Sequence, residues 1–299
     1  MSDKHQLRSE GEELQGLLDD LQRDHAIREV SGWDTGFANL NRALDGILPG
    51  LYLLIGPPAC GKTSFAKQVT DQVVMQNSLP GIFFSFAESK KELRIKTLSC
   101  LSGVENRELR RGSAYLLHWY GVPKRTITAE ELPPSWEKVK NAAENAHRWL
   151  DLLYLIECRR DMNIRQIEEQ IEEVCRVKGS DRMMVVIDDC QRLGPSNQPI
   201  RDRIANIAEL LQGIALNGNI PVLAVWPDLI EETRTLPQVW ADKVPGADVI
   251  LVMENDLERT KKLTEPNQAV NLHIVKNRGG EKGKLAFDFF PPFSKFVEA

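Results

Sequence analysis

The sequence predicts an α/β protein: a mainly parallel sheet with helices on both faces. Three observations carry that prediction. An apolar strand over residues 51–55 runs into Gly-Pro-Pro-Ala-Cys-Gly-Lys-Thr at 56–63, which opens a helical pattern marked by Phe65, Val69 and Val73. Short Val/Ile/Leu runs then alternate with amphipathic helices along the chain, as strands buried on both faces require. A second apolar run, Met183 to Ile187, ends in the carboxylate of Asp188.

In chain order, Leu14, Leu17, Leu18 and Leu21 share one helical face among acidic and basic residues, so residues 1–30 read as an amphipathic helix. A turn-rich segment separates it from the first strand, and residues 31–299 read as one domain. Residues 81–86 read as a buried strand and 90–101 as a helix. Pro123, Pro133 and Pro134 interrupt any single period across 113–134, and that segment fits no element. Strand 152–156, helix 164–177, strand 183–187, helix 201–216 and strand 221–225 follow. The chain closes on β-like runs at 249–253, 270–275 and 285–290.

Composition sets the class. The chain has 299 residues, 42% of them hydrophobic and 27% charged, ordinary values for a globular protein with a sizeable core. No apolar run approaches the roughly 18 residues of a membrane span, and the first residues are polar, so a cytoplasmic protein without membrane association is expected. Five scattered cysteines form no C-x-x-C and have no histidines at ligand spacing, which implies neither a disulfide framework nor zinc. A net charge of −5 argues against a surface that grips nucleic acid over its whole extent, though not against a basic channel shared by several subunits.

The glycine-rich turn carries the chemistry. Gly56 and Gly61 let the backbone curl so that N–H groups along Pro57, Pro58, Ala59, Cys60, Gly61, Lys62, Thr63 and Ser64 line a nucleotide's phosphates at a helix N-terminus, the two prolines contributing backbone shape but no donor. Lys62 can reach the β- and γ-phosphates and the Thr63 hydroxyl can ligate Mg²⁺, with Asp188 as the second metal-holding group. Cys60 reads as a small space-filler, with an activated thiol as the alternative. Hydrolysis of ATP needs a group that orients water. Glu88, after a strand expected to lie beside the first one, is the candidate, and Asp189 competes with it.

Thr35-Gly36-Phe37, Gly50-Leu51, the phosphate loop, residues 83–89, Leu109 to Gly112, Val185 to Asp188 with Gln191, Ile220 to Leu223, Gly246-Ala-Asp248 and Lys276 to Gly283 occur in an order that resembles the ATPase domain of DnaB-like replicative helicases over about residues 31–296. The likeness to the KaiC and RadA branches of the same superfamily is weaker. The resemblance implies a RecA-like fold, ATP and Mg²⁺ as cofactors, DNA replication as the setting, and homo-oligomeric rings, hexameric in that family, with ATP between subunits. It implies that Lys276 and Arg278 reach into the neighbour's site, and that the N-terminal helix is a linker gripping the adjacent subunit. It also implies that loops near Asn197, Arg201 and Arg203, and near Arg234 and Lys243, face single-stranded DNA.

The pattern breaks in three places. The family's catalytic Glu aligns with Ala87, which leaves Glu88 one residue late. Its phosphate-sensing Gln falls at Pro227, beside Trp226. The two DNA-facing loops are nearly charge-balanced, where a backbone-tracking groove should be cationic. The alternative reading is accordingly a KaiC- or RadA-like switch or accessory factor that uses ATP without translocating.

Overall fold

The structure is a computed structural model that describes residues 30–111, 134–159, 161–193, 200–227, 240 and 244–299, without the side chains at 134 and 200–202. The amphipathic stretch around Leu14 to Leu21 lies outside the described residues, as do 113–133 and most of the two expected DNA-facing loops. Among the described residues the strands are β1 (Gly50–Gly56), β2 (Gly81–Ser85), β3 (Leu153–Glu157), β4 (Met184–Asp188), β5 (Pro221–Pro227), β6 (Val249–Asn255), β7 (Gln268–Asn277), β8 (Gly283–Phe290) and β9 (Lys295–Glu298).

They form one sheet in the order β3-β2-β4-β5-β1-β6-β7-β8-β9. The pairs from β3 through β6 are parallel and those from β6 through β9 antiparallel. The sheet is therefore mainly parallel, as the continuous apolar runs predicted: β1, β2 and β4 are buried at every position. The half-exposed β3 takes the edge. One expectation is corrected. β2 does not lie beside β1, because β4 and β5 stand between them: β1 satisfies its two edges with β5 and β6, and β2 pairs with β3 and β4. Adjacency in sequence is a frequent rule of sheet order, not a binding one.

The helix Lys62–Asn77 follows β1 and is buried around most of its circumference, from Ser64 through Val74. On one side lies the sheet. On another, Phe65 stacks with Phe37 and meets Phe287 and Phe296 edge-on, so an aromatic cluster ties this helix to the C-terminal strands. Gln68 completes the tie: its Nε2 donates to the Phe296 carbonyl at 3.0 Å and its Oε1 accepts from the Phe296 N–H at 2.7 Å. β9, absent from the sequence prediction, is held by those two bonds and its pairing with β8.

The turn-rich reading of 31–49 is also corrected, since Ala38–Leu44 is a helix. Its N-cap position, Phe37, makes no side-chain cap. Glu298 does that work from the far end of the chain: its Oε1 accepts from the N–H groups of Asn39 at 2.8 Å and Leu40 at 3.0 Å. The carboxylate satisfies orphan donors and sits at the positive end of the helix dipole. A further helix, Pro134–Leu150, opens on a proline at its first position and buries Val139, Ala146 and Trp149.

Candidate nucleotide site

Three strand ends converge at one edge of the sheet: β1 leads into the glycine-rich turn, β2 into Glu88, and β4 terminates at Asp188. In a parallel sheet all carboxyl ends open on the same side, which is why a crevice forms there even though β1 and β2 are not neighbours. A cleft of about 710 Å³ is lined by Ala59, Gly61, Lys62, Thr63, Ser64, Glu88 and Lys96. Residues from Glu105 to Arg110 and from Phe289 to Ser294 complete its wall.

In the turn, Ala59 (φ 64°) and Gly61 (φ 89°) both take the left-handed conformation, the backbone habit of anion-binding concavities. Gly61 could be nothing larger, because a Cβ there would meet Phe296 Cζ at 2.8 Å and Phe289 Cε1 at 2.9 Å. Cys60 is fully buried, and its sulfur stands 3.0 Å from where a Cβ on Gly56 would be. It fills the base of the turn, as the space-filler reading expected. The Lys62 ammonium donates to the Pro57 carbonyl at 2.7 Å.

Thr63 Oγ1 lies 3.1 and 3.0 Å from the two oxygens of Asp188. Burial pushes the Asp188 carboxyl up to about 7; the hydrogen bond from Thr63 opposes this, and the charges of Glu88 and Asp189 add to it. One oxygen of Glu88, Oε2, is buried with no hydrogen-bond partner among the described residues. A hydroxyl, a buried carboxylate and a second carboxylate that repels it make a hard-oxygen set suited to Mg²⁺, so these residues fit the ion that the loop implies.

The candidates for water orientation separate by geometry. Asp189 (φ 61°) is occupied within its own turn, where Oδ1 accepts from Gln191 Nε2 at 2.7 Å and Oδ2 pairs with Arg192. Glu88 lines the cleft, and its N–H donates to Ser85 Oγ at 2.9 Å. It precedes the N-cap Ser89 of helix Lys90–Ser102 and is not itself a capping acid. Sequence reading missed Lys96, which also lines the cleft. Its signal was only a lysine in a helix of mixed pattern.

Lys276 and Arg278 lie elsewhere. Arg278 Nη1 pairs with Asp248 Oδ1 at 2.7 Å, and the Lys276 ammonium donates to the Pro245 carbonyl at 2.8 Å. Asp248 Oδ2 accepts from the N–H of Leu51, at the beginning of β1. The two cations thus stand at the amino end of β1, while the glycine-rich turn follows its carboxyl end. The seven residues between, at about 3.3 Å each, put roughly 20 Å between them. Burial and the nearby Arg278 hold the Lys276 ammonium below its ordinary range. Of the expected DNA-facing residues, Asn197, Arg234, Lys243 and the Arg201 side chain lie outside the described residues. Arg203 is half-buried, with its Nε enclosed and without a partner among the described residues.

The sheet order, the turn after β1 and the carboxylate closing β4 define a RecA-like P-loop ATPase fold. The sequence pattern described as DnaB-like helicase C terminal domain matches residues 32–227, and the chain belongs to that family. A replicative DNA helicase DnaB of Buchnera aphidicola is 32% identical over 89% of this chain and 56% of its own length. A probable replicative DNA helicase of Trieres chinensis is 21% identical over 94% of this chain and 60% of its own length. The chain thus spans about 60% of the length of these two relatives.

Among solved structures, one described as an ATPase domain superposes with a TM-score of 0.78 at 19% identity, covering 98% of this chain and 100% of that one. A DnaB-like replicative helicase, described with its interactions with primase, gives 0.74 at 19%, covering 95% and 67%. A KaiC-like protein of Pyrococcus horikoshii gives 0.54 at 16%, covering 91% and 99%. The fold is closer to the first two than to this KaiC-like one.

Proposed function

We propose that this chain is a Mg²⁺-dependent ATPase that hydrolyses ATP between identical subunits of a ring and couples the reaction to movement along single-stranded DNA. One observation carries the reading: Lys62, Thr63, Asp188 and Glu88 meet at one edge of the sheet, while Lys276 and Arg278 stand at the opposite edge. The six can serve one site only if two copies share it. The turn over residues 56–64 would seat the phosphates, with Lys62 on the β/γ end. Thr63 and Asp188 would hold Mg²⁺, whose charge offsets that of the phosphates. Glu88 would orient the attacking water, and the neighbour's Lys276 and Arg278 would stabilise charge on the transferring group, a contribution of about 10³-fold or more. Residues 31–299 would make up the ATPase domain and residues 1–30 the linker helix. The location would be cytoplasmic, as for a replication protein; no helix among the described residues is long and apolar enough to cross a membrane.

Mixing two inactive variants tests the shared site. Lys62→Ala and Arg278→Ala proteins should each lack turnover, and their mixture should regain it, since one copy's intact loop then faces the other's intact cation. No recovery in a mixture shown to co-assemble would place both groups in separate roles. Stimulation of turnover by single-stranded DNA supports a motor; an ATP-driven change of assembly indifferent to DNA supports the switch reading.

A further inference from the structure

Lys96, on helix Lys90–Ser102, lines the cleft beside the glycine-rich turn, and its ammonium lies 3.2 Å from Glu88 Oε1 and 3.1 Å from Ser64 Oγ. It is enclosed, its side chain only 13% exposed, and its charge lowers the Asp188 carboxyl against the burial that raises it. One cation thus touches the helix that follows the phosphate loop and the carboxylate that follows β2. Glu88 sits on the bend before a helix, where the backbone alone leaves its side chain several directions. Only its N–H, bonded to Ser85 Oγ, is held locally.

The helix carrying Lys96 is itself locked. Thr97, the next residue, donates from Oγ1 to Asp71 Oδ2 at 2.7 Å, and Asp71 is ion-paired with Lys67 one turn earlier on the phosphate-loop helix. All three are buried. A buried, mutually satisfied cluster fixes the register of the two helices, and Lys96 inherits a defined distance to Ser64. Of the two Glu88 oxygens, Oε1 is taken by Lys96 and Oε2 has no hydrogen-bond partner among the described residues. The pairing commits Oε1 to Lys96 and sets the direction of the whole carboxylate, which is how a supporting shell makes a catalytic group accurate.

We propose that Lys96 is a positioning residue for hydrolysis, holding Glu88 in the cleft through Oε1 while braced on Ser64. This rests on the reading of Glu88 as the water-orienting group. The rival role for a lysine here is direct contact with a phosphate, which would appear as affinity.

The test uses the full chain and four variants: Lys96→Met, Lys96→Arg, Glu88→Gln and the Glu88→Gln/Lys96→Met double. Turnover and KM are measured with Mg·ATP, and affinity for a non-hydrolysable ATP analogue by calorimetry. Misplacing a catalytic group by about 1 Å costs on the order of 10²-fold, so Lys96→Met should lower kcat roughly 10- to 100-fold while analogue affinity changes less than about twofold. Lys96→Arg should recover most of the loss. In the Glu88→Gln background, adding Lys96→Met should cost no more than about twofold, since residues acting as a unit are not additive. Unchanged kcat in Lys96→Met, a full additional loss in the double variant, or a fall in analogue affinity at constant kcat would each overturn the positioning role. Normal turnover in Glu88→Gln would instead remove the reading beneath it, so the two failures are distinguishable.

Discussion

The Thr63 hydroxyl lies within 3.1 Å of both oxygens of Asp188 although 125 residues separate them. Asp188 is at the same time 1% exposed. Burial and two nearby acids outweigh the hydroxyl of Thr63 and the charge of Lys96 at this carboxylate, and that balance makes the pair's behaviour depend on pH and on Mg²⁺.

Burial raises Asp188 from the ordinary 3.8 to about 7. Between those values the native chain keeps a proton that the unfolded chain has released, so this group's contribution to stability falls as pH rises through the window and is flat above it. Mg²⁺ with nucleotide should reverse the trend, because the ion binds the ionised form. Melting temperature measured from about pH 4.5 to 8 should fall less steeply in Asp188→Asn than in the parent, and Mg·ATP should stabilise the parent most above about pH 7, where the carboxyl is ionised. A Mg²⁺ response in Asp188→Asn equal to the parent's would contradict the metal role.

Gly61→Ala should lose nucleotide binding. The added methyl faces Phe296 and Phe289 at 2.8 and 2.9 Å, and the backbone stands at φ 89°, where an L side chain is strained. The strain costs about 1–2 kcal/mol, and relieving it unrolls the concavity that seats phosphate. Titration with a fluorescent ATP analogue reads the loss; retained affinity would show that the turn is not the seat.

Lys67→Met should destabilise the fold by about 3–5 kcal/mol, the usual result of leaving a buried charge unpaired. Lys67 is 1% exposed, and burial already raises the Asp71 carboxyl. Lys67→Met/Asp71→Leu should recover most of that loss, since removing both charges also removes their desolvation. Urea unfolding of the two variants distinguishes a structural pair from two independent side chains.

Asp248→Ala should act at both ends of its contacts. It frees the Leu51 N–H, at a cost of about 1–3 kcal/mol for a buried donor left without a partner, and it releases Arg278 from its one charged anchor among the described residues. Stability should fall, and turnover of the assembled protein should fall further than the stability change explains. Turnover that follows the folded fraction alone would show that Asp248 does not orient the neighbour-directed cation.

The glycine-rich turn, the strand ending in Asp188 and the alternation of strands and helices were legible because each is local. Backbone conformation at Gly61, the reach of Lys62 and the apolar period of β4 are properties of short stretches. Helix Ala38–Leu44 was not legible, since its capping group, Glu298, is 259 residues from Asn39. β9 is four residues long and is held by tertiary contacts: Gln68, the aromatic cluster around Phe296, and pairing with β8. The order of β1 and β2 misled for a related reason: which apolar strand pairs with which is settled by edges and by the helices packed across them, not by succession along the chain.

From the sequence alone came the candidate phosphate-binding turn, the candidate metal-side carboxylate and the family's order of motifs. Only the tertiary structure decided that Glu88 and not Asp189 faces the cleft, that Lys96 reaches Glu88, and that Lys276 and Arg278 stand at the far end of β1. A motif encodes bond geometry and chemical type over a few residues. Proximity between motifs is created by the sheet: its parallel strands gather the carboxyl ends of β1, β2 and β4 on one side, and β7, antiparallel to β6, carries its own carboxyl end with Lys276 and Arg278 to the other.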